Sequence, residues 1–278
     1  MGLLLPQIEY TIDTCKKNNI KRSVLSLGRL DYFINLFDFQ ELMVKHGLAC
    51  YENGVLRYYD PQVDIAVKKL IENNEHMSPT NQIVISYPCI SDTLFYTALG
   101  FTIQDSIDLH GTATILFNLN ERNITSVTDK RYDLVIDAGV MEHVFDVRSV
   151  MLNSTDLLKP EGHIIHILPA NNTMEHGFYQ FSPTLFQDYY LANNYDIVNN
   201  LLLELIPNKY SKSNFFVDKW DKHRVVEYDP CFFGKNSFGQ LVDNIYFVMM
   251  CAHRKIDSLR DQPPHQYAFA GNSVIFPW

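Results

Sequence analysis

Short apolar runs and amphipathic stretches take turns along this chain. Strand-like runs stand at Ser23 to Gly28, Gln82 to Ser86, Thr102 to Asp108, Ala113 to Phe117 and Tyr132 to Asp137, with helical spacing at Tyr32 to His46 and Asp92 to Leu99. This rhythm predicts βαβ units: an α/β fold with a mostly parallel sheet covered by helices on both faces. Asp92 is placed to cap Thr93 to Leu99, and Gly100 to end it in the left-handed conformation. Farther on, Val147 to Leu158 has helical spacing, Lys159-Pro160-Glu161-Gly162 reads as a stop and a turn, and His163 to Leu168 is strand-like again. Ser182-Pro183 reads as an N-cap with proline in the first turn of a helix to about Asn193. Asn244 to Cys251 is a strongly apolar strand candidate, the last member of the sheet.

No repeat or low-complexity linker divides the chain, which predicts one domain over residues 1–278 with less regular ends at 1–22 and 257–278. At 278 residues and 46% hydrophobic, it has material for one generous core. The balance of 23 Lys plus Arg against 32 Asp plus Glu, net −9, with no dense basic segment, argues against a nucleic-acid partner. The longest apolar run, Ile245 to Ala252, is far short of the roughly 20 residues of a membrane-spanning helix. The opening Met1-Gly2-Leu3-Leu4-Leu5-Pro6 lacks the basic flank of a secretory signal, so a cytoplasmic protein is expected. Five dispersed cysteines without a CxxC pair suggest small core hydrophobes rather than a disulfide framework or a zinc knuckle.

The most informative stretch is Tyr132-Asp133-Leu134-Val135-Ile136-Asp137-Ala138-Gly139-Val140-Met141-Glu142-His143-Val144-Phe145, a buried strand whose end releases polar groups where ligands of open α/β sheets sit. With the helix after it and Leu157-Leu158-Lys159-Pro160-Glu161-Gly162, it resembles class I S-adenosylmethionine-dependent methyltransferases, whose wording is a "fDlvv…gvlEHv" strand and loop, a helix, then "LkpGG". The resemblance implies a Rossmann-like fold with a reversed strand near the C-terminus, S-adenosylmethionine as cofactor, and Asp137, Gly139 and Glu142 near it. The family's "DxGxGxG" turn is reduced here to Gly28-Arg29-Leu30-Asp31. Gly28 still permits close backbone approach to a ligand, and Arg29 either reaches the cofactor carboxylate or fills the pocket; Asp31 completes the segment.

The same resemblance implies that Asp108, ending a strand, accepts hydrogen bonds from the ribose diol, and that Asn118, followed by Leu119, receives the adenine amino group. The distance from Gly28 to Asp108 implies an insertion over about 47–90. The polar and aromatic segment Pro169 to Pro183 resembles the "HGfyqfsP" wording of a subgroup from bacterial cell-surface glycan pathways. It places His176, Tyr179 and Phe181 in an acceptor site, within an elaboration over 170–240.

His143 and His176 are the candidate bases, since imidazole is neutral near cellular pH. The alternative for Glu142 and His143 is knitting the loop to the next helix, and for His176 packing in the tight turn before Gly177. The ten histidines are scattered without HxxxH or HxH pairs, so no metal is expected. The aromatic run Trp220 to Phe233 reads as subdomain core or an acceptor lid, and Tyr32, Phe33, Phe37 and Phe39 as a packing face. Asp60-Pro61 and Pro263-Pro264 read as turn punctuation. The expected reaction is methyl transfer to a hydroxyl, in preference to an amine, of a small-molecule or sugar-nucleotide acceptor. The rival is an inactive Rossmann-like module binding a nucleotide-sugar or a protein. A dinucleotide oxidoreductase is disfavoured because no GxGxxG follows a strand.

Overall fold

The computed structural model of the protein describes residues 2–78, 88–208, 220–228 and 244–264. In chain order the elements are β1 (Gly2–Leu3), α1 (Leu5–Lys17), β2 (Arg22–Leu27), β3 (Asp31–Tyr32), α2 (Leu36–Lys45), β4 (Ala49–Glu52), β5 (Val55–Tyr58), α3 (Pro61–Glu72), α4 (Asp92–Ala98), β6 (Phe101–Asp108) and β7 (Ile115–Leu116). Then follow β8 (Tyr132–Ala138), α5 (Val147–Leu157), β9 (Leu158–Asn171), α6 (Pro183–Ala192), β10 (Tyr195–Pro207), β11 (Trp220–Glu227) and β12 (Ile245–Arg254). The strand expected at Gln82 to Ser86 lies outside the described residues.

The main sheet has eight strands in the order β11-β10-β12-β9-β8-β2-β6-β7. From β9 to β7 all neighbours are parallel. β12 is antiparallel to both β9 and β10, so it is the reversed strand, β10 resumes the common direction, and β11 adds a reversed edge. This is the mostly parallel, Rossmann-like α/β architecture expected.

Period-two alternation explains why both faces are dry. Val24, Leu134, Ile136, Ile165 and Ile167 enter one core with α1, α2 and α4, while Leu25, Leu27, Val135, Ile164 and Leu168 enter the other with α5 and α6. A row of buried strands thereby has no polar face to show to water.

Several local expectations change. Residues 5–17 form a helix because Ile8, Ile12 and Cys15 recur at helical spacing and are buried. Ser91, not Asp92, is the N-cap of α4, its Oγ accepting from Leu94 N at 3.1 Å; this leaves the Asp92 carboxylate free for another partner. Lys159 to Gly162, read as a stop and a turn, lies within the span of β9 but makes a turn-like bulge there: the pairing with β8 jumps from Tyr132–Leu158 to Leu134–His163, and Glu161 takes φ 62°. Asp60-Pro61 is a helix start, since Asp60 caps α3 and Pro61 opens it. Within 47–90 stands the hairpin β4–β5, whose Asn53-Gly54 tip has φ 52° and 77°, the conformation two-residue hairpin turns demand. Trp220–Glu227 is an edge strand, Tyr228 follows it with its N–H donating to Asn200 O at 2.8 Å, and residues 229–233 of that aromatic run lie outside the described residues. Tyr32 and Phe39 are buried, but Phe37 is exposed. Among the described residues no helix is long and apolar enough to cross a membrane.

Candidate functional site

The chain runs from β2 outward to β6 and β7 on one side and to β8 and β9 on the other, so the sheet's switch point lies between β2 and β8. Ligands of open α/β sheets bind at such a point, beyond the carboxyl ends of the strands. The register sets Leu27 beside both Ile107 and Asp137, so Gly28, Asp108 and Ala138 leave the sheet side by side.

Gly28 has φ +68°, its N–H donates to Ile107 O at 2.7 Å, and a Cβ there would stand 3.0 Å from Val140 Cγ2. The bare backbone is what lets the β2 and β8 loops approach each other. Gly139, at φ +87°, makes the matching turn. Asp108 is half-buried at the rim, one carboxylate oxygen accepting from Leu109 N at 2.6 Å. Phe117 N–H donates to Asp108 O at 2.9 Å, which brings the Asn118 segment to the same rim.

Other expected binding residues turn away. Arg29 donates to Asp92 Oδ1 at 3.2 Å and to Thr112 Oγ1 at 3.0 Å, so its guanidinium leans over a 110 Å³ polar cavity that Ser26, Tyr96 and Ser106 also line. Asp31 is buried and bonded to the Ser78 hydroxyl. Asn118 spends its amide oxygen on Asn120, and Leu119 is buried in the core beside α5. Asp137 is buried too: Oδ1 accepts from Val140 N at 3.1 Å and Met141 N at 3.3 Å, while Oδ2 lies 3.2 Å from His166 Nδ1. His166 Nε2 in turn meets Tyr190 OH at 2.6 Å. Asp137 therefore braces the loop from beneath rather than facing a ligand. Phe181 is a packing residue, buried between the rings of Tyr179 and Phe186.

The residues that do converge are Glu142, His143 and His176. Glu142 and His143 occupy a single 3₁₀ turn after β8, and the loop after β9 lays His176 against them. Phe178 N–H donates to Glu142 O at 2.8 Å, and a Cβ on Gly177 would stand 2.8 Å from that oxygen and 2.9 Å from Glu142 Cγ. Only glycine at 177 permits so close an approach. His176 Nε2 is 3.5 Å and His143 Nε2 3.9 Å from Glu142 Oε1, with the two imidazoles 5.1 Å apart.

The Glu142 side chain is 0% exposed, whereas those of His143 and His176 are 44% and 47% exposed. Neither Glu142 oxygen has a hydrogen-bond partner among the described residues. Burial, then the nearby Asp137 charge, push the Glu142 carboxyl up to about 8. Burial, then repulsion from His176, hold His143 below the ordinary histidine value, so it is neutral near pH 7. Tyr179 donates to Phe145 O at 2.9 Å, and Phe145 packs edge-to-face on Phe178 with ring centres 6.2 Å apart; both rings are largely exposed. Nothing in the sequence marks Phe145, Phe178, Asp92 and Val140 as site residues. Only the juxtaposition of distant loops marks them.

Two larger cavities lie elsewhere. One of 280 Å³ sits at the opposite ends of β2 and β6, near Lys21 and Gly100, and one of 550 Å³ lies between α1 and the β10–β11 region. Neither adjoins the convergent polar groups.

No family model matches the chain, and no curated protein is significantly similar to it in sequence. Among solved structures it is similar to TehB from Haemophilus influenzae, 13% identical over 59% of this chain and 53% of that one, with TM-score 0.35. It thus spans about half of that protein. It is also similar to the 1,6-didemethyltoxoflavin-N1-methyltransferase of Burkholderia thailandensis, a complex with 1,6-didemethyltoxoflavin and S-adenosylhomocysteine, 10% identical over 71% and 80% of the two chains, TM-score 0.35. A third is StiE O-MT residues 961–1257, 14% identical over 92% and 76%, TM-score 0.38. Likenesses this distant carry no argument about chemistry, which rests on the residues of the site.

Proposed function

We propose that this chain is an S-adenosylmethionine-dependent methyltransferase acting on a hydroxyl, in preference to an amine, of a small sugar-containing acceptor. The observation that carries this reading is the line of strand ends: Gly28 and Asp108 offer a backbone cradle and a diol-accepting carboxylate, and two imidazoles stand one strand farther along. The cradle at Gly28, which a Cβ would fill, and the half-exposed Asp108 fit an adenosyl ligand. Ligand cavities run to roughly 300 Å³ or more, so the 110 Å³ polar cavity near Arg29 would take only part of it, the rest lying on the open shelf over Gly28.

S-adenosylmethionine supplies an electrophilic methyl group on a sulfonium. The chain's own work is positional: Gly28 and Asp108 orient the donor, while Phe145, Phe178 and Tyr179 hold the acceptor and exclude water. Such orientation lowers a barrier by several kcal/mol. The exposed aromatic faces suit a sugar ring and a cation. A ring nitrogen of His143 or His176 takes the hydroxyl proton, His143 being neutral at pH 7 and His176 standing closer to Glu142. The assignment to bacterial cell-surface glycan pathways rests on the resemblance of the segment around His176 to Pro183.

One observation favours the rival reading. Arg29 is paired with Asp92 instead of being free for a cofactor carboxylate, as expected of a module that keeps the fold without catalysis. Calorimetry with S-adenosylmethionine and S-adenosylhomocysteine separates the two. Micromolar binding of both supports the enzyme; no binding of either, with binding of a nucleotide-sugar or a protein, supports the rival. Incubation with labelled cofactor and sugar-nucleotide pools, read by mass spectrometry, then identifies the acceptor.

A further inference from the structure

We infer that Glu142, His143 and His176 form a binding site for one divalent transition-metal ion of the zinc type. The spacing of histidines along the chain argues against a metal, but the fold brings together three side chains that lie up to 34 positions apart in number. One potential ligand atom from each lies within 4.8 Å of the others. Metal–ligand bonds of about 2.0–2.1 Å at tetrahedral angles put neighbouring ligand atoms about 3.3 Å apart. The separations of 3.5 Å and 3.9 Å from Glu142 Oε1 are near that value. The half-exposed imidazoles have room to close the remainder by rotating.

The second observation is the carboxylate itself. Glu142 is wholly buried, and among the described residues neither of its oxygens accepts a hydrogen bond. A buried polar group without a partner is costly, and native structures that keep one call for an explanation such as an ion. A carboxylate–histidine dyad without a metal would be expected to hydrogen-bond; here the Glu142 oxygens do not. The site is also built from the backbone: Gly177 and the Phe178 N–H clamp the His176 loop onto Glu142 O.

Two imidazole nitrogens and one carboxylate oxygen select zinc-like ions over magnesium or calcium, which prefer oxygen donors throughout. With three protein ligands and two histidines facing outward, at least one coordination position remains for water or an acceptor oxygen. With the ion bound, the Nε2 lone pairs of both imidazoles are taken, so the ion would hold and acidify the acceptor hydroxyl in place of a histidine base. That role rests on the proposed transferase reading; metal binding itself does not.

The test is titration of chelator-treated full-length protein with Zn²⁺ alone, by calorimetry, and with Co²⁺, by visible absorption, both without S-adenosylmethionine. One ion per chain is expected, with visible d–d bands for Co²⁺. Glu142→Gln, His143→Asn and His176→Asn should each weaken Zn²⁺ binding at least tenfold, while circular dichroism checks that the exposed-histidine variants stay folded. His253→Asn, in the separate pair of facing imidazoles His163 and His253, should leave affinity unchanged. A folded wild-type chain that takes up neither ion overturns the inference, as does Zn²⁺ binding indifferent to the His143 and His176 substitutions. Mg²⁺ binding as tight as Zn²⁺ overturns the zinc-type assignment. Failure of S-adenosylmethionine to bind in a separate titration bears on the transferase reading alone.

Discussion

Two carboxylate–histidine groups stand at the end of β8, one in its last residues and one just beyond it, and they are built in opposite ways. Asp137 and His166 are 0% exposed and close their valences internally, through two loop N–H groups on one side and Tyr190 on the other. Glu142, five residues on, is equally buried, but among the described residues its oxygens lack hydrogen-bond partners, and the imidazoles beside it are half-exposed. The first group is saturated and can only stabilise. The second carries unsatisfied capacity, and that capacity is what a ligand, ion or reacting proton can use.

The contrast is most exposed to refutation at its saturated end. Asp137→Ala should cost about 3–5 kcal/mol of unfolding free energy, because it strips a buried histidine and two loop amides of their acceptor at once. A urea denaturation curve measures this, and a loss below about 1 kcal/mol would mean the group is not the brace described. Asp108→Ala is the complementary case. A half-exposed rim carboxylate should contribute little to stability, yet its loss should weaken S-adenosylmethionine binding by about 1–3 kcal/mol. Unchanged calorimetric affinity in the folded variant would remove Asp108 from the cofactor site.

Histidine burial gives a test of intermediate size. Burial, then the facing His253, lower His163 to about 4. Between pH 4 and the ordinary value near 6.5 the unfolded chain therefore binds the extra proton, and stability should fall as pH drops through that window. Screening at this partly exposed position reduces the effect to about 1.5 kcal/mol. Denaturation curves at pH 4.5 and 7 should show it, and His163→Phe should flatten that slope; an undiminished slope in the variant assigns it to other groups.

The smallest effect has the opposite sign. Glu142→Met replaces an unpartnered buried carboxyl with an apolar chain of similar length and should raise stability by about 1 kcal/mol, as expected where a functional group is retained at a cost to the fold. Thermal unfolding in the presence of chelator measures it. A clear destabilisation would indicate that Glu142 serves the fold after all.

Much of the architecture was legible because it depends on short-range patterning. Leu134 to Ile136 is apolar at every position and Val24 to Leu27 is interrupted only by the small Ser26, a pattern that only a strand covered on both faces tolerates. Helix starts were legible where the signal is local, as at Ser182-Pro183. It failed at Asp60-Pro61 and Ser91, where one residue type serves both turns and caps. β10 was missed because its edge-side residues are only half-buried and mix Asn with Leu. In the candidate site, Gly28, Asp108, Glu142, His143 and His176 were nameable as strand-end or loop residues. Asp31, Asn118, Leu119, Asp137 and Phe181 were named on the same grounds, and they point elsewhere.

By itself, then, the order of residues determined which segments could be buried strands, which could be helices, and which polar groups would fall at strand ends, since neighbours along the chain control backbone preference and alternation. Only the tertiary structure decided which of those polar groups find partners. Asp137 meets a histidine from β9 and a tyrosine network from α6, Arg29 meets Asp92 from α4, and Glu142 meets two imidazoles without being satisfied by either. Hydrogen bonding and desolvation are properties of what surrounds a group in space, and those surroundings come from loops far apart in sequence.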